Sequence, residues 1–331
     1  MNTVRTTDVQ DAPCVSRTGS RRVRAVPWVI AVLLALLPLA VMPLASGAFV
    51  LRFAAEILLI GTAVMSLNVL IGFAGLVSLG HAAVFGVAAY CVAVAAQQWG
   101  ADLIWVLPLG MLAGAALAAL TACVTARSVG LFFLVLTLMI GQMTWEVVFR
   151  WREVTGGADG LRGFSGLSVL GLPLSSPWAL YGVALAVAGA GWAMLRHLLG
   201  SPLGVSIQGM RDQPLRMRAL GFSLTRLRLQ AFAATGTVAG AAGALYPFVN
   251  QYVGPNTVHW SMSATFVIMA VLGGIHTLAG AFVGAAVYLV AQNQISSYTD
   301  RWQLLIGLLF VAIVLFVPNG LLSAVRKRRP A

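Results

Sequence analysis

Charge is scarce in this sequence of 331 residues, and lysine is almost absent. Only 9% of the residues are Asp, Glu, Lys or Arg, and the single lysine is Lys327. A soluble globular domain carries about a quarter charged residues, so the composition excludes that class of protein. With no other lysine, the chain has no GxxxxGK[ST] phosphate-binding loop. It therefore cannot hydrolyse ATP by itself.

The residues needed for other chemistry are also few. The three cysteines, Cys14, Cys91 and Cys123, lack the spacing of a metal site or a redox pair. Four scattered histidines do not form a metal site, and no combination of Ser, His and acid at a shared depth suggests catalysis. We expect no enzymatic activity, no metal and no cofactor.

What the sequence has in abundance is apolar residues. They make up 60% of the chain, and the mean hydropathy is +0.90. Because a membrane span needs about 20 mostly apolar residues, we predict an all-α polytopic membrane protein of about ten helices with glycine-rich broken or re-entrant segments. The predicted spans are 27–46, 53–72, 80–98, 104–125, 130–149, 177–196, 229–249, 262–274, 277–292 and 303–323. Residues 262–292 could be two spans, or one span and a re-entrant piece.

The basic residues indicate the topology. The net charge is +12, and 16 of the 21 basic residues lie on one side of the membrane if both termini are cytoplasmic. An even number of spans then satisfies the positive-inside rule. We expect a basic tail at 1–26, a membrane-spanning domain at 27–323 with its largest cytoplasmic loop at 201–228, and a second basic tail at 324–331.

Ionisable residues within the predicted spans could drive ion-coupled transport. The acidic ones are Glu56 and Glu146, and each has an arginine one helical turn away, Arg52 and Arg150 respectively. We interpret both acids as members of local ion pairs rather than of a proton relay.

Residues 67–90 combine four glycines with Asn68, Ser78 and His81 in an uncharged, apolar setting. Unpaired polar groups cost several kcal/mol in lipid, so this segment should face protein or a water-filled cavity. A broken helix here could direct N–H groups at a substrate carboxylate. The alternative is that these residues only hydrogen-bond and pack between helices. The segment around His276, at 273–288, faintly resembles 75–90, which would suit two repeated halves.

Two loops stand out. Residues 201–230 predict a short amphipathic helix with Asp212 as N-cap, Pro214 in its first turn and Gly221 as a left-handed stop. Such a helix could lie on anionic lipid or dock against a protein. The other loop, TGGADGL at 155–161, is either an ordinary glycine-rich turn or a docking site on the outside.

Four blocks of the sequence resemble one family. They are the run that includes Asn68, Gly72, Gly75, Ser78, Leu79, Gly80, His81, Ala82, Phe85, Gly86 and Tyr90; TGGADGL; residues 201–232 with the following AGAAGALYP; and VLGG near Gly273 with PNGL at 318–321. Together they resemble the LivM-like inner-membrane permease subunits of branched-chain amino-acid ABC importers, in the expected order and over nearly everything after residue 50.

The resemblance implies roles for particular residues. It implies a substrate pathway that includes Asn68, Gly75, Ser78, Gly80, His81, Gln142, Thr155 and His276. It implies coupling to an ATPase subunit through Gly209, Met210, Arg211, Asp212, Leu215, Leu220 and Gly221, and docking of a binding protein at Gly156, Gly157, Asp159 and Gly160. Family members often carry an acid where this chain has the neutral Gln142.

The resemblance also implies the machine and its partners. We expect a bacterial inner-membrane subunit that pairs with nucleotide-binding subunits, a homologous LivH-like permease, a periplasmic binding protein and membrane lipid, and that does not bind nucleic acid. The expected cargo is branched-chain or related amino acids. The alternatives are the same type of permease for urea, short amides, a sugar or another small polar solute, a stand-alone secondary transporter or channel, and a membrane-embedded enzyme.

Overall fold

A computed structural model describes residues 47–164, 166–169, 171–174, 176–299, 301–316 and 320–321. The two predicted basic tails and the predicted first span, 27–46, lie outside these residues. Within them the chain is overwhelmingly helical, as predicted. The helices of six or more residues are α1 (Gly47–Asn68), α2 (His81–Trp99), α3 (Leu103–Val124), α4 (Leu131–Arg150), α5 (Pro177–Gly200), α6 (Pro202–Asp212), α7 (Pro214–Ala219), α8 (Leu224–Asn250), α9 (Trp260–Gly273), α10 (Leu278–Ser296) and α11 (Trp302–Phe316).

Among the described residues, seven helices are long and apolar enough to cross a membrane: α1 with its π-helical extension, α2, α3, α4, α5, α8 and α10. The prediction of an all-α polytopic membrane protein is therefore confirmed, but the predicted count of about ten spans is not. The 14-residue α9 is apolar but covers only about 21 Å, less than a bilayer core. Residues 262–292 thus contain one helix of spanning length and one shorter helix.

Helix α8 begins five residues before its predicted span. Ser223 caps its first turn by accepting a hydrogen bond from the Arg226 N–H group, at 3.4 Å. The first turns carry Arg226 and Arg228, which lower the local hydropathy, although Leu224 and Leu227 are buried. A search of the sequence for apolar runs of spanning length therefore misses the first turns of α8.

Helices α1 and α8 form the centre of the bundle. Both are buried over most of their length, whereas only 22% of the apolar stretch of α3 and of α4 is buried. Helices α3 and α8 cross closely because small residues face each other. A Cβ atom added to Gly114 would lie 2.5 Å from the Gly236 carbonyl oxygen and 2.7 Å from the Gly240 Cα atom. Such contacts between small residues let helix backbones touch in membrane proteins.

One end of the bundle carries short β-structure, and we call it the loop end. Strands β1 (Leu161–Arg162) and β4 (Tyr252–Val253) pair antiparallel, as do β2 (Ser168–Val169) and β3 (Leu172–Pro173). The Arg162 guanidinium lies 4.7 Å from the centre of the Tyr252 ring. The long loop between α4 and α5 is thereby held against the end of α8.

The opposite end carries α6, α7 and the α3–α4 turn, and we call it the arginine end. The prediction of one helix capped by Asp212 is wrong, because Asp212 is the last residue of α6. Helix α6 starts earlier, where Ser201 Oγ accepts a hydrogen bond from the Gly204 N–H group and Pro202 occupies the first position.

A second helix follows at once. The residue before a proline is disfavoured in the helical conformation, and Gln213 adopts φ −142° before Pro214 begins α7. The prediction that Pro214 lies in a first turn is confirmed, and so is the left-handed conformation of Gly221, at φ +86°. The segment is therefore two helices joined at Gln213.

Candidate functional site

The glycine-rich segment after α1 interrupts the helical bundle. Helix α1 loosens into a π-helical turn at Val69–Phe73, and residues 74–80, which we call the first break, lead into α2. Side chains of other helices bind amides of the first break and of the first turn of α2. Leu79 N–H donates to Thr137 Oγ1 at 3.1 Å, and Ala82 N–H donates to Ser263 Oγ at 2.9 Å. Helices α4 and α9 thus satisfy N–H groups that have no partner within α2.

His81 is the first residue of α2, and its side chain is bound by α1. Its Nε2 atom lies 2.7 Å from Ser66 Oγ, and both residues are buried. Ser66 has one hydroxyl hydrogen, which it donates to the Ala63 carbonyl at 2.7 Å. Because that hydrogen is already used, we assign the Nε2–H tautomer, in which Nε2 donates to Ser66. Nδ1 is then a buried acceptor, and it has no partner.

A second break, residues 274–277, separates α9 from α10 and lies against the end of α1. The Asn68 amide group donates to the Gly274 carbonyl at 3.2 Å and to the Thr277 carbonyl at 2.9 Å. The Gly72 Cα atom faces the Ile275 carbonyl so closely that a side chain there would collide with it. The end of α1 therefore contacts both breaks.

Arg211, in the last turn of α6, contacts both the π-helical turn and the first break that follows it. Its guanidinium donates to the Gly72 carbonyl, and its Nε atom donates to Asp212 Oδ1 at 2.8 Å. Gly75 adopts φ +69°, and a Cβ atom added there would lie 2.5 Å from Arg211 Cγ. Glycine at this position leaves room for the arginine.

The predicted pathway residues do not all come together. Asn68, Ser78, Gly80 and His81 are buried at or beside the first break, and Gly75 lies within it. His276 is exposed in the second break, and Gln142 is half-buried on α4. Thr155 lies at the loop end, beyond α4, where its hydroxyl donates to the Val148 and Trp151 carbonyls. Thr155 is thus far along the bundle from the other members of the set.

The predicted coupling residues divide into buried and exposed ones. Gly209, Met210, Arg211 and Asp212 form the last turn of α6, and Met210 is buried against the rest of this chain. Leu215 and Leu220, on and just after α7, are 78% and 65% exposed. Of the three large apolar residues in the predicted coupling set, only these two are available on the surface.

The predicted docking residues form a tight turn at the loop end. Gly156, Gly157 and Gly160 have φ values of +72°, +60° and +67°, and the turn leads directly into β1. Asp159 is exposed within it. The loop thus presents a carboxylate on a backbone that other residues could not easily adopt.

The two acids in the helices have different partners. Glu146 forms the expected ion pair with Arg150, one turn along α4. Glu56 accepts a hydrogen bond from Asn250 Nδ2 at 3.5 Å, rather than forming the expected pair with Arg52. Helix α8 thus supplies its partner. Among the described residues, no three His, Cys, Asp or Glu side chains cluster as metal ligands would.

Four residues of these sites were not recognised from the sequence. Ser66, Thr137 and Ser263 lie within predicted spans, where a hydroxyl can simply bond to its own helix, so they give little signal. The Thr137 hydroxyl accepts from Leu79 N–H in the first break and also donates to the Leu134 carbonyl of its own helix. Arg228 lay within the predicted loop 201–228, yet it is buried in α8.

Comparisons with known proteins agree on one family. The family model described as the permease component of a branched-chain amino acid transport system matches residues 49–314. The LivM permease protein of Salmonella typhimurium, named as part of a high-affinity branched-chain amino acid transport system, is 27% identical over 285 residues, covering 79% of this chain and 67% of its own. The Escherichia coli protein of that name is 26% identical over the same coverage.

More distant similarity extends to a permease protein of another name. A probable LivH permease protein from Methanocaldococcus jannaschii is 25% identical over 101 residues, covering 30% of this chain and 31% of its own. No solved structure matches the chain. Because the family model spans well over half of the sequence, this chain belongs to the permease components of branched-chain amino acid transport systems.

Proposed function

We propose that this permease is the membrane conduit of an ATP-binding-cassette importer, in which α6 and α7 transmit the motion of an ATPase subunit to the first break. The expected cargo is branched-chain amino acids, delivered by a periplasmic binding protein. A homologous second permease would complete the pathway. The chain itself performs no covalent chemistry in this scheme.

The observation that carries the proposal is the bond from Arg211 to the Gly72 carbonyl. It joins the end of α6 to the π-helical turn where α1 stops. Helix α6 is capped at its start by Ser201 and packs through buried Ile207 and Met210, so it can move as a rigid unit. A displacement of α6 would therefore pull or release the chain at Gly72 rather than be absorbed by a flexible loop.

Leu215 and Leu220 supply the surface on which an ATPase subunit would act. Both are large, apolar and mostly exposed on the side that carries α7. An amphipathic helix that rests in a groove of a partner presents such anchors. Arg216, also exposed, lies between them and offers a polar contact.

The two breaks are the proposed substrate pathway. They meet at the end of α1, where glycines and neutral polar groups replace the usual lipid-facing side chains. Irregular backbone at membrane depth is tolerated where it is buried in protein or lines a cavity, and transporters build substrate sites from such segments. His81 Nδ1 and Asn68 Oδ1 are buried acceptors without partners in the structure. They are available to an ammonium or amide donor that enters there.

The topology follows from the same scheme. We propose that the arginine end faces the cytoplasm and the loop end faces the periplasm, with both termini cytoplasmic in the bacterial inner membrane. The exposed Asp159 turn would then be accessible to the binding protein. The domain limits are proposed as in the sequence prediction, with the permease domain at 27–323.

The test is reconstitution of the complete importer in proteoliposomes, with the ATPase subunits, the sister permease and the binding protein. Replacing Arg211 by Gln together with Leu220 by Ala should abolish the stimulation of ATPase activity by loaded binding protein, and the uptake of labelled leucine with it. The Arg226→Gln variant removes an exposed arginine of the same end that has no role in the proposed coupling, and it controls for charge.

Two results would contradict the proposal. Normal stimulation of ATPase activity in the Arg211→Gln, Leu220→Ala variant would show that α6 and α7 do not transmit the motion of the ATPase subunit. Uptake at full rate by this chain alone in liposomes would indicate a stand-alone transporter or channel. Competition of leucine uptake by urea or short amides would instead place the cargo among the other small solutes.

A further inference from the structure

A cavity of about 550 Å³ opens at the arginine end, and residues 74–77 of the first break form part of its wall. Its Arg218 and Arg228 have no role in the function proposed above. It lies between α7, the first break, the α3–α4 turn and the start of α8. Its lining includes Gly75, Leu131, Phe133, Arg211, Arg218 and Arg228. The cavity thus contains three arginines, while no acidic residue is among its lining residues in the described part of the chain.

Arg228 is the most constrained of the three arginines. It is only 9% exposed, and one terminal nitrogen of its guanidinium donates to the carbonyls of Thr125, Ala126 and Ser128, at 3.5, 3.2 and 2.7 Å. These bonds fix the guanidinium at the cavity wall. Its Nε atom is buried and has no hydrogen-bond partner.

The positive charge of the cavity is not neutralised within the described residues. Asp212 pairs with Arg211, and no carboxylate forms an ion pair with Arg218 or Arg228 in that part of the chain. A buried guanidinium without a counter-ion is costly. The site therefore favours an anion that can reach both arginines.

The start of α4 adds to this preference. Gly130 precedes the helix with φ +60°, and no side chain caps this end. Gly130 and Leu131 line the cavity, so the uncapped first turn of a 20-residue helix adjoins it. Helix N-termini favour anions because their free N–H groups and the helix dipole both attract negative charge.

Beside the charged wall, the surface is strongly apolar. Leu131 and Phe132 are 79% and 80% exposed where α4 begins, and Val135 on the next turn is 47% exposed. A free inorganic anion has no use for such a surface. A molecule with a phosphate group and a hydrocarbon chain could place the first in the cavity and the second along α4.

We propose that this cavity binds a phosphate group, that of an anionic phospholipid such as phosphatidylglycerol, between Arg218, Arg228 and the start of α4. Basic pockets between helices on the cytoplasmic side of membrane proteins bind anionic headgroups. The bound lipid would brace α7 against the first break. The proposal concerns lipid alone and stands whether or not α7 couples to an ATPase.

The test uses the full chain, purified in detergent and depleted of lipid. Native mass spectrometry measures the binding of dioctanoyl phosphatidylglycerol, dioctanoyl phosphatidylcholine and inorganic phosphate in separate titrations. We expect one saturable site for phosphatidylglycerol, about fivefold tighter than for phosphatidylcholine. The Arg218→Gln variant should lose most of that preference, because it removes one of the two arginines that would hold the phosphate. Arg218 is exposed, so the replacement should leave the fold intact.

Arg226→Gln is the matched control, since Arg226 is an exposed arginine at the same end that does not line the cavity. Its binding should equal that of the wild type. Displacement of phosphatidylglycerol by inorganic phosphate at similar concentrations would overturn the assignment to lipid and make a free anion the ligand. Equal binding of both lipids, an unchanged Arg218→Gln variant, or equal losses in the two variants would overturn the proposal.

Discussion

Ser66 on α1 and His81 at the start of α2 are joined by a 2.7 Å hydrogen bond across the first break, although 15 residues separate them. The bond runs from His81 Nε2–H to a hydroxyl whose own hydrogen is already donated to the Ala63 carbonyl. It therefore fixes both the position of the break and the proton on the ring. The unprotonated Nδ1 atom is the part of His81 left for a ligand.

Replacing Ser66 by Ala should leave the buried Nε2–H group of His81 without an acceptor. A buried polar group that loses its partner costs about 1–3 kcal/mol, so we expect a lower thermal midpoint in detergent. Thr265→Ala is the control, because its hydroxyl bonds only to its own helix at an exposed site. A midpoint equal to that of the control would mean that the histidine bond adds no stability.

Replacement of Asn68 should affect the whole second break and not only its own position. Its amide holds two carbonyls of the second break, so Asn68→Ala leaves both without that donor and should accelerate hydrogen exchange around residues 274–277. Asn293→Ala removes an exposed asparagine of α10 and should leave exchange there unchanged. If exchange in the second break is the same in both variants, Asn68 does not stabilise it.

The sequence predicts the helical class well because apolar runs of spanning length are a strong signal. It also identifies residues 67–90 as a polar, glycine-rich interruption, since lipid would not tolerate them unpaired. Neither observation reveals which groups bind each other. The partner of Ala82 N–H is Ser263, 181 residues away, and no local pattern connects the two.

Residues 201–221 contain two competing signals for the start of a helix. Asp212 and Pro214 together resemble a helix start, but Ser201 and Pro202 form another start eleven residues earlier, and a helix that begins there continues through Asp212. Met210 then lies on the buried face of α6, which periodicity alone did not reveal. Only the packing of α6 against the first break decides which face is covered.

The contact between α3 and α8 should be intolerant of added volume. A side chain at Gly114 would meet the backbone of Gly236 and Gly240, which cannot move without displacing α8. We expect Gly114→Val to destabilise the protein by about 1–3 kcal/mol or to prevent its folding, measured by thermal unfolding and by the yield of monodisperse protein. Gly182→Val is the matched control, since its surroundings on α5 are open. Similar losses in both variants would attribute the effect to valine in a helix rather than to the contact.

His259 should make stability at the loop end depend on pH. Its Nδ1 atom accepts a hydrogen bond from the Ser261 N–H group, at 3.3 Å, and so caps α9, while burial lowers the pKa of the ring below its usual 6.5. Protonation would remove this acceptor and place a cation at the helix N-terminus.

The neutral form is therefore the one that the folded protein favours. Its contribution to stability, about 1 kcal/mol for a lost cap, is fully present above pH 6.5 and is lost as the pH falls through the lowered pKa. We expect the thermal midpoint to drop between pH 7 and pH 5 by more in the wild type than in His259→Asn, because asparagine also caps a helix but does not titrate there. Parallel pH profiles of the thermal midpoint for the two proteins would show that protonation of His259 does not change the stability. Another group would then cause the drop.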